Sequence, residues 1–180
     1  STIHEQLATV IGDLVHMVPV QDQHILTRAK EKTKGMISLI NDLLDMSRID
    51  EGVICREPRP VSLDELLRSI IDFLGEKAKT KSQSIELILP QAPLPEMRAD
   101  PIALESIFGN LITNALNYTP EGGRIRLEVD ITGVNVRARV IDNGLGIAEK
   151  YLDKIFDRFY RVKDEKTRYI TGTGLGLPIV

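Results

Sequence analysis

The residues best suited to binding chemistry lie in a short run that joins an alternating segment to a pair of glycines. Residues 134–141 alternate in polarity as a strand does, and Asp142, Gly144 and Gly146 follow. A carboxylate at a strand end can accept a hydrogen bond from an amino group, and glycine lets the main chain approach a ligand closely. The run predicts a pocket lined by backbone; a plain Asp-Asn-Gly turn between two strands is the alternative.

Two further runs suit metal and phosphate binding. Asn110 and Asn114 lie one turn apart in a predicted helix, so their amides share a face, and an amide oxygen is a hard ligand that suits Mg²⁺. Gly172, Gly174 and Gly176 are predicted to open a helix, where free N–H groups bind phosphate without side-chain charge. Their Gly-x-Gly-x-Gly spacing is not the dinucleotide fingerprint, so a Rossmann interpretation is excluded.

These runs, with residues 155–161 between them, follow one another in an order that resembles the ATP-binding domain of the sensor histidine kinases. The wider family includes gyrase-type, chaperone and mismatch-repair ATPases. The resemblance covers about two thirds of the chain, and it implies ATP and Mg²⁺ as cofactors.

The resemblance also implies a role for individual residues. Asp142 would accept the amino group of adenine and reject guanine, which presents a carbonyl there. Asn114 would be the Mg²⁺ ligand, Asn110 would lie beside the phosphates, and Arg161 would meet the terminal phosphate. Ile147 would be a pocket wall or plain core. The other implied ATP-binding positions are Asn117, Tyr118, Gly144, Gly146, Ile147, Tyr160, Gly172, Thr173, Gly174, Leu175, Gly176 and Leu177.

Two departures from the family pattern affect the expected activity. The phosphate-accepting histidine of the family lies in a His-Glu-Leu-Arg-x-Pro-Leu run, which this sequence lacks. We expect the acceptor to lie before Ser1 and His4 to be a surface residue, so this piece should not phosphorylate itself. Asn117 stands where the family often has a basic residue, which would weaken one phosphate contact.

The N-terminal part of the sequence predicts a helical hairpin. Apolar residues at helical spacing indicate helices at 1–18 and 22–50, separated by Pro19. A hairpin with an apolar strip on each helix cannot bury both strips alone, so we expect a homodimer with a four-helix interface. Packing of the hairpin on its own chain is the alternative.

Three segments follow from this pattern: a dimerisation hairpin at 1–52, ended by Gly52, an extended linker at 53–60, and an ATP-binding domain at 61–180. The last of these ends within about two turns of Gly174, where the family continues its helix, so we expect it to be C-terminally incomplete.

The ATP-binding segment has the pattern of an α+β domain, with helices packed on one face of a mixed, mostly antiparallel sheet. Ser62 and Glu65 have the spacing of a capping box, and Asp100 with Pro101 predicts the start of the second helix. Prolines before Asp100 are expected to exclude regular structure. The predicted elements are a helix at 62–79, a strand at 84–89, a helix from 100, and a hairpin of 124–129 and 134–141 around Gly133.

A charged segment follows Glu149 and contains five cations: Arg158, Arg161, Lys163, Lys166 and Arg168. It is either a solvated loop or a mobile lid whose cations close over phosphates. The run of Gly172, Gly174 and Gly176 that follows, which we call the glycine run, favours the lid.

Composition limits the remaining function classes. A formal net charge of −3 on 180 residues argues against general nucleic-acid binding, which needs a basic face. The single Cys55 forms no intramolecular disulfide and indicates a reducing compartment, which we take as cytoplasmic. No apolar run approaches the ~20 residues that cross a bilayer, so we expect no membrane contact by this piece. Membrane anchoring of the full-length protein is left open.

Together these features predict the kinase core of a two-component sensor. In the intact protein it would transfer the γ-phosphate of ATP to a histidine, and then to an aspartate on a response-regulator receiver domain. A non-catalytic ATP-sensing interaction module is the alternative. A gyrase-type hydrolase would place a Glu base one turn before the metal ligand, where this sequence has Asn110.

Overall fold

The structure is a computed structural model that describes residues 20–50, 58–162, 164–170 and 172–180. The predicted first helix, His4, Cys55 and Lys163 lie outside the described residues. The elements in chain order are α1 Val20–Asp50, β1 Arg59–Val61, α2 Leu63–Lys79, β2 Ser84–Ile88, β3 Met97–Ala99, α3 Pro101–Tyr118, β4 Arg124–Thr132, β5 Asn135–Asp142, α4 Glu149–Leu152 and α5 Gly176–Ile179.

The first described element, α1, is a single long helix close to the predicted range of 22–50. The chain divides into two compact units, Ser1–Asn41 and Asp42–Val180, so the division lies inside α1, whereas the predicted hairpin ended at residue 52. Because the helix is continuous across the division, no local sequence signal marks it. Among the described residues, no helix combines the length and apolar character that crossing a bilayer requires.

The main sheet has three strands in the order β2–β4–β5, with β2 parallel and β5 antiparallel to β4. Ile125, Leu127 and Val129 alternate along β4 and are buried, so one face of the central strand forms the floor of the core. β4 and β5 are joined at Gly133, whose φ of +63° is a conformation that glycine adopts without strain. The predicted hairpin and the mixed, mostly antiparallel sheet are confirmed.

A second, two-stranded sheet corrects one prediction. β3 pairs antiparallel with β1, although the prolines before Asp100 were expected to exclude regular structure. β1 begins at Arg59, within the segment predicted as an extended linker. A strand of three residues is too short to show a period, and its pairing depends on a partner that is distant in sequence.

Two helices cover the sheet. α2 buries Leu67 and Leu74, and α3 buries Ile112 and Leu116, in one core with the inner face of β4. α3 begins as predicted, because the Asp100 carboxylate accepts a hydrogen bond from the Ile102 N–H at 2.9 Å.

The predicted capping box at the start of α2 is wrong. The Ser62 hydroxyl donates to the Asp64 carboxylate at 2.6 Å and makes no bond to the backbone of the helix. This hydrogen bond from Ser62 lowers the pKa of Asp64 below its ordinary value. Ser62 therefore interacts with a side chain in the first turn, where an acidic group is favoured by the helix dipole.

Replacing Gly75 with Ala is expected to raise the free energy of unfolding by about 0.5–1 kcal/mol, because alanine loses less backbone entropy in a helix. Gly75 lies within α2, and apart from its chain neighbours and the backbone of its own helix no atom is within 4 Å of the Cβ position. Urea denaturation would measure the change. The same substitution at Gly122, whose φ is +75°, should instead destabilise the fold. A Gly75→Ala protein of lower stability would contradict the open space at this position.

Candidate nucleotide site

The helix α3 carries the amide pair. Asn110 and Asn114 lie one turn apart, and both are partly buried. Gly176, at the start of α5, lies against them: a Cβ at this glycine would be 2.9 Å from Asn110 Oδ1 and 3.8 Å from Asn114 Nδ2. The structure thus brings the last glycine of the predicted phosphate run against both amides.

Residues 142–147, which we call the acidic run, lie at the end of β5. The Asp142 side chain is exposed, and its Oδ1 accepts a hydrogen bond from the Gly144 N–H at 2.8 Å. Asn143 ties the run to the neighbouring strand, because its Oδ1 accepts from the Arg124 N–H at 2.7 Å. Among the described residues after Asp142, helices follow and no strand does, so the alternative of a turn between two strands is excluded.

The C-terminal end of α3 meets this acidic run. The Leu145 N–H donates to the Tyr118 carbonyl at 3.1 Å. A Cβ at Gly144 would lie 2.5 Å from the Tyr118 carbonyl oxygen and 2.7 Å from Asp142 Oδ1, so only glycine fits here without a shift. Asn110, Asn114 and Tyr118 succeed one another at intervals of four residues, so one face of α3 connects the glycine run to the carboxylate.

Two residues that sequence reasoning missed hold this end of α3. Gln83 is buried, and its Nε2 donates to the carbonyls of Leu116 at 3.1 Å and of Thr119 at 2.6 Å. The Lys81 ammonium also donates to the Leu116 carbonyl, at 3.0 Å. These bonds satisfy carbonyls that the last turn of a helix leaves without partners. The sequence signals these contacts only through the position of both residues just before the predicted strand at 84–89.

The charged segment folds back on the glycine run. The Phe159 N–H donates to the Gly174 carbonyl at 2.9 Å, and Phe159 itself has a φ of +62°. The Arg161 guanidinium donates to the Ile170 carbonyl, and a Cβ at Gly172 would be 3.9 Å from Arg161 Nε. Tyr160 is partly buried beside them. Phe159 and Arg161, within the predicted lid, therefore contact residues at its C-terminal end.

A tight turn organises the middle of this segment. The Asp164 carboxylate accepts from the backbone N–H groups of Thr167 and Lys166, each at 2.9 Å. The bond from the Thr167 N–H is the main reason that the pKa of Asp164 lies below its ordinary value. Arg168 stacks on the ring of Tyr169, with 4.5 Å between the guanidinium carbon and the ring centre.

The helix at the glycine run begins later than predicted. Gly172 and Gly174 precede α5, which begins only at Gly176. Gly174 has a φ of +77°, and a Cβ there would be 2.8 Å from the backbone of Phe159, so this position requires glycine. The Thr173 hydroxyl donates to the Asp42 carboxylate of α1 at 2.6 Å.

The remaining predicted residues are distributed around these contacts. Leu175 is buried in the core, whereas Leu177 and Asn117 are partly buried. Ile147 is 49% exposed, which excludes the core alternative for this side chain. Gly146 has a φ of +68°.

The donor set determines which ion could bind. The described residues contain no group of three or more His, Cys, Asp or Glu side chains that could hold a metal by itself. The amide oxygen of Asn114 suits Mg²⁺, which keeps several waters and is commonly held by few protein ligands together with substrate phosphates. The residues therefore fit a magnesium ion that arrives with a nucleotide.

A family model described as Histidine kinase-, DNA gyrase B-, and HSP90-like ATPase matches residues 99–180. The matched range contains α3, the acidic run and the glycine run. These 82 residues, just under half of the chain's 180, are therefore similar to this ATPase family.

Two of the curated relatives have names that describe sensors. Sensor histidine kinase WalK of Bacillus subtilis is 36% identical over 154 residues, which are 83% of this chain and 24% of WalK. The phosphate regulon sensor protein PhoR of Pseudomonas aeruginosa is 32% identical over 155 residues, 86% of this chain and 34% of PhoR. The chain thus spans about a quarter to a third of the length of these relatives.

Solved structures share the fold. The catalytic domain of histidine kinase ThkA is 29% identical, with a TM-score of 0.60 over 68% of this chain and 76% of that domain. Full-length ShkA, in complex with AMPPNP, is 27% identical, with a TM-score of 0.69 over 99% of this chain and 38% of ShkA. ThkA in complex with the response regulator TrrA shares the fold at 20% identity, with a TM-score of 0.61 over 89% of this chain and 48% of that chain. The predicted α+β class is confirmed.

Proposed function

We propose that this chain is the kinase core of a two-component sensor histidine kinase, which binds Mg-ATP along one face of α3. The observation that carries the proposal is the position of Gly144 and Gly176, which lie against this helix near Tyr118 and Asn110. These two contacts are eight residues apart, about 12 Å along the helix axis. An extended nucleotide laid along the helix would reach both.

The adenine base would bind at the end of the site that contains Asp142. The exposed Asp142 carboxylate accepts from the Gly144 N–H through Oδ1, so its other oxygen, Oδ2, can accept from the 6-amino group of adenine. A guanine carbonyl in this place would leave two acceptors facing each other, which selects against GTP. The Gly144 backbone, which carries no Cβ, would let the base approach closely.

The phosphates would bind at the other end of the site, beside Gly176. Asn114 would hold the Mg²⁺ ion, and Asn110 and the backbone of Gly176 would line the phosphates. The ion supplies charge neutralisation for the phosphates. Arg161 would meet the terminal phosphate by exchanging its bond to the Ile170 carbonyl for a charge-assisted bond.

In the full-length protein the γ-phosphate would pass to a histidine, and then to an aspartate of a response-regulator receiver domain. The structure of ShkA with AMPPNP supports nucleotide binding, and the complex of ThkA with TrrA supports this partner. The apolar residues exposed on α1, Ile25, Met36, Ile40, Leu43 and Leu44, support a homodimer through the hairpin. The chain's own contribution is positioning and the exclusion of water.

A non-catalytic ATP-sensing module is the second candidate. One observation favours it: the Thr173 hydroxyl of the glycine run donates a hydrogen bond to the Asp42 carboxylate of α1. Nucleotide binding that breaks this bond would transmit a signal to α1 without chemistry.

The deciding experiment supplies a separate helical hairpin that carries an acceptor histidine. With Mg-ATP, we expect acid-labile phosphate on this hairpin, and Asn114→Ala should lower the transfer rate by at least about 100-fold because the metal ligand is lost. Asn135→Ala, an exposed amide at the start of β5, is the matched control and should leave the rate unchanged. Phosphate release without transfer would indicate a hydrolase, and nucleotide binding without either would indicate the sensing module.

A further inference from the structure

One buried hydroxyl at the end of α3 has no partner. Thr119 is 3% exposed, and its Oγ1 is buried without a hydrogen-bond partner among the described residues. The backbone of Thr119 is fully engaged, because its N–H donates to the Ala115 carbonyl at 3.0 Å and its carbonyl accepts from Gln83 Nε2 at 2.6 Å. A buried hydroxyl without a partner destabilises the fold, so it requires an explanation.

The hydroxyl faces the carboxylate end of the site. A Cβ at Gly144 would lie 3.0 Å from Thr119 Oγ1 and 2.7 Å from Asp142 Oδ1, so both oxygens flank the same side of this glycine. The methyl group of Thr119 points elsewhere, because a Cβ at Gly123 would be 2.1 Å from its Cγ2. The methyl group of Thr119 therefore lies beside Gly123, whereas its hydroxyl has no hydrogen-bond partner among the described residues.

We propose that Thr119 is a positioning residue for adenine recognition: its hydroxyl donates a hydrogen bond to the Asp142 carboxylate, directly or through one water, when a base covers the site. Asp142 is exposed, so solvent hydrates its carboxylate until a base displaces that solvent. A carboxylate covered by a base needs a donor on its other side, and the buried hydroxyl is such a donor. The inference rests on the proposed nucleotide site.

Two substitutions separate the hydroxyl from the methyl group. Thr119→Val keeps the shape and removes the hydroxyl, so it should raise the melting temperature without nucleotide while weakening Mg-ATP binding about tenfold. Thr119→Ser keeps the hydroxyl and loses the methyl group, so it should lower the melting temperature while keeping the affinity within about threefold. Thermal unfolding and calorimetry with Mg-ATP would measure both quantities.

Mg-ITP, which presents a carbonyl in place of the 6-amino group, tests the specificity. Thr119→Val should lower the ratio of ATP to ITP affinity, and Thr132→Val, an exposed threonine on β4, should change neither affinity. A Thr119→Val protein with unchanged ATP affinity would overturn the inference. So would one that loses stability and both affinities together, because that result indicates a structural role.

The failure of this inference is distinguishable from failure of the proposed function. If Asp142→Asn abolishes ATP binding while Thr119→Val leaves it unchanged, only the role of Thr119 is wrong. If Asp142→Asn also leaves binding unchanged, the nucleotide site itself is wrong.

Discussion

Asp142→Asn is expected to weaken Mg-ATP binding by at least about 100-fold, measured by calorimetry near neutral pH. The asparagine oxygen can still accept from the Gly144 N–H, which is 2.8 Å from Asp142 Oδ1, so the loop should keep its conformation. The amide NH₂ group would then face the 6-amino group of adenine, and two donors without an acceptor would oppose each other. The substitution removes the hydrogen bond from adenine to a charged carboxylate and leaves the new amide donor unpaired. These two losses together account for an affinity about 100-fold weaker.

A control for this substitution is available in the same domain. Asp72 is an exposed carboxylate on α2, and Asp72→Asn should leave the affinity for Mg-ATP unchanged. The melting temperature of Asp142→Asn should stay near that of the parent chain, because the carboxylate is exposed. Equal ATP affinities for the parent and Asp142→Asn would remove adenine recognition from this residue.

Gly144→Ala is expected to remove ATP binding and to lower the free energy of unfolding by about 1–3 kcal/mol. The new Cβ would lie 2.5 Å from the Tyr118 carbonyl oxygen and 2.7 Å from Asp142 Oδ1, and one of these is backbone that cannot turn aside. The loop must therefore move away from α3, which breaks the bond from the Leu145 N–H to Tyr118. Urea denaturation and calorimetry would measure the two effects.

Gly133→Ala is the control for Gly144→Ala. It measures the loss of stability from replacing a glycine where the new Cβ does not overlap another atom. Gly133 lies in the turn between β4 and β5 with a φ of +63°, and no atom is within 4 Å of its Cβ position. Its substitution should cost about 1–2 kcal/mol of stability through backbone strain and should leave ATP affinity unchanged. Wild-type stability and affinity in Gly144→Ala would show that this loop does not pack on α3 in solution.

Local signals predicted the elements that carry the candidate site. Asp100 and Pro101 predicted the start of α3, because an N-cap oxygen and a proline at the first helical position act within one turn. The alternation around Gly133 predicted the β4–β5 hairpin for the same reason. The β1–β3 sheet was missed, because strands of three residues carry no measurable period. The predicted Ser62 cap was wrong, because the hydroxyl donates to the Asp64 carboxylate and accepts no hydrogen bond from a backbone N–H of the helix.

The sequence alone determined which chemistry is present: a carboxylate at a strand end, two amides one turn apart, and glycines in two runs. The tertiary structure decided what these groups contact. It brings Gly144 to the Tyr118 carbonyl and Gly176 to Asn110, and it buries the Thr119 hydroxyl. The reason is that spacing within an element follows from backbone geometry, whereas contacts between distant segments follow from packing of the common core, which no local pattern encodes.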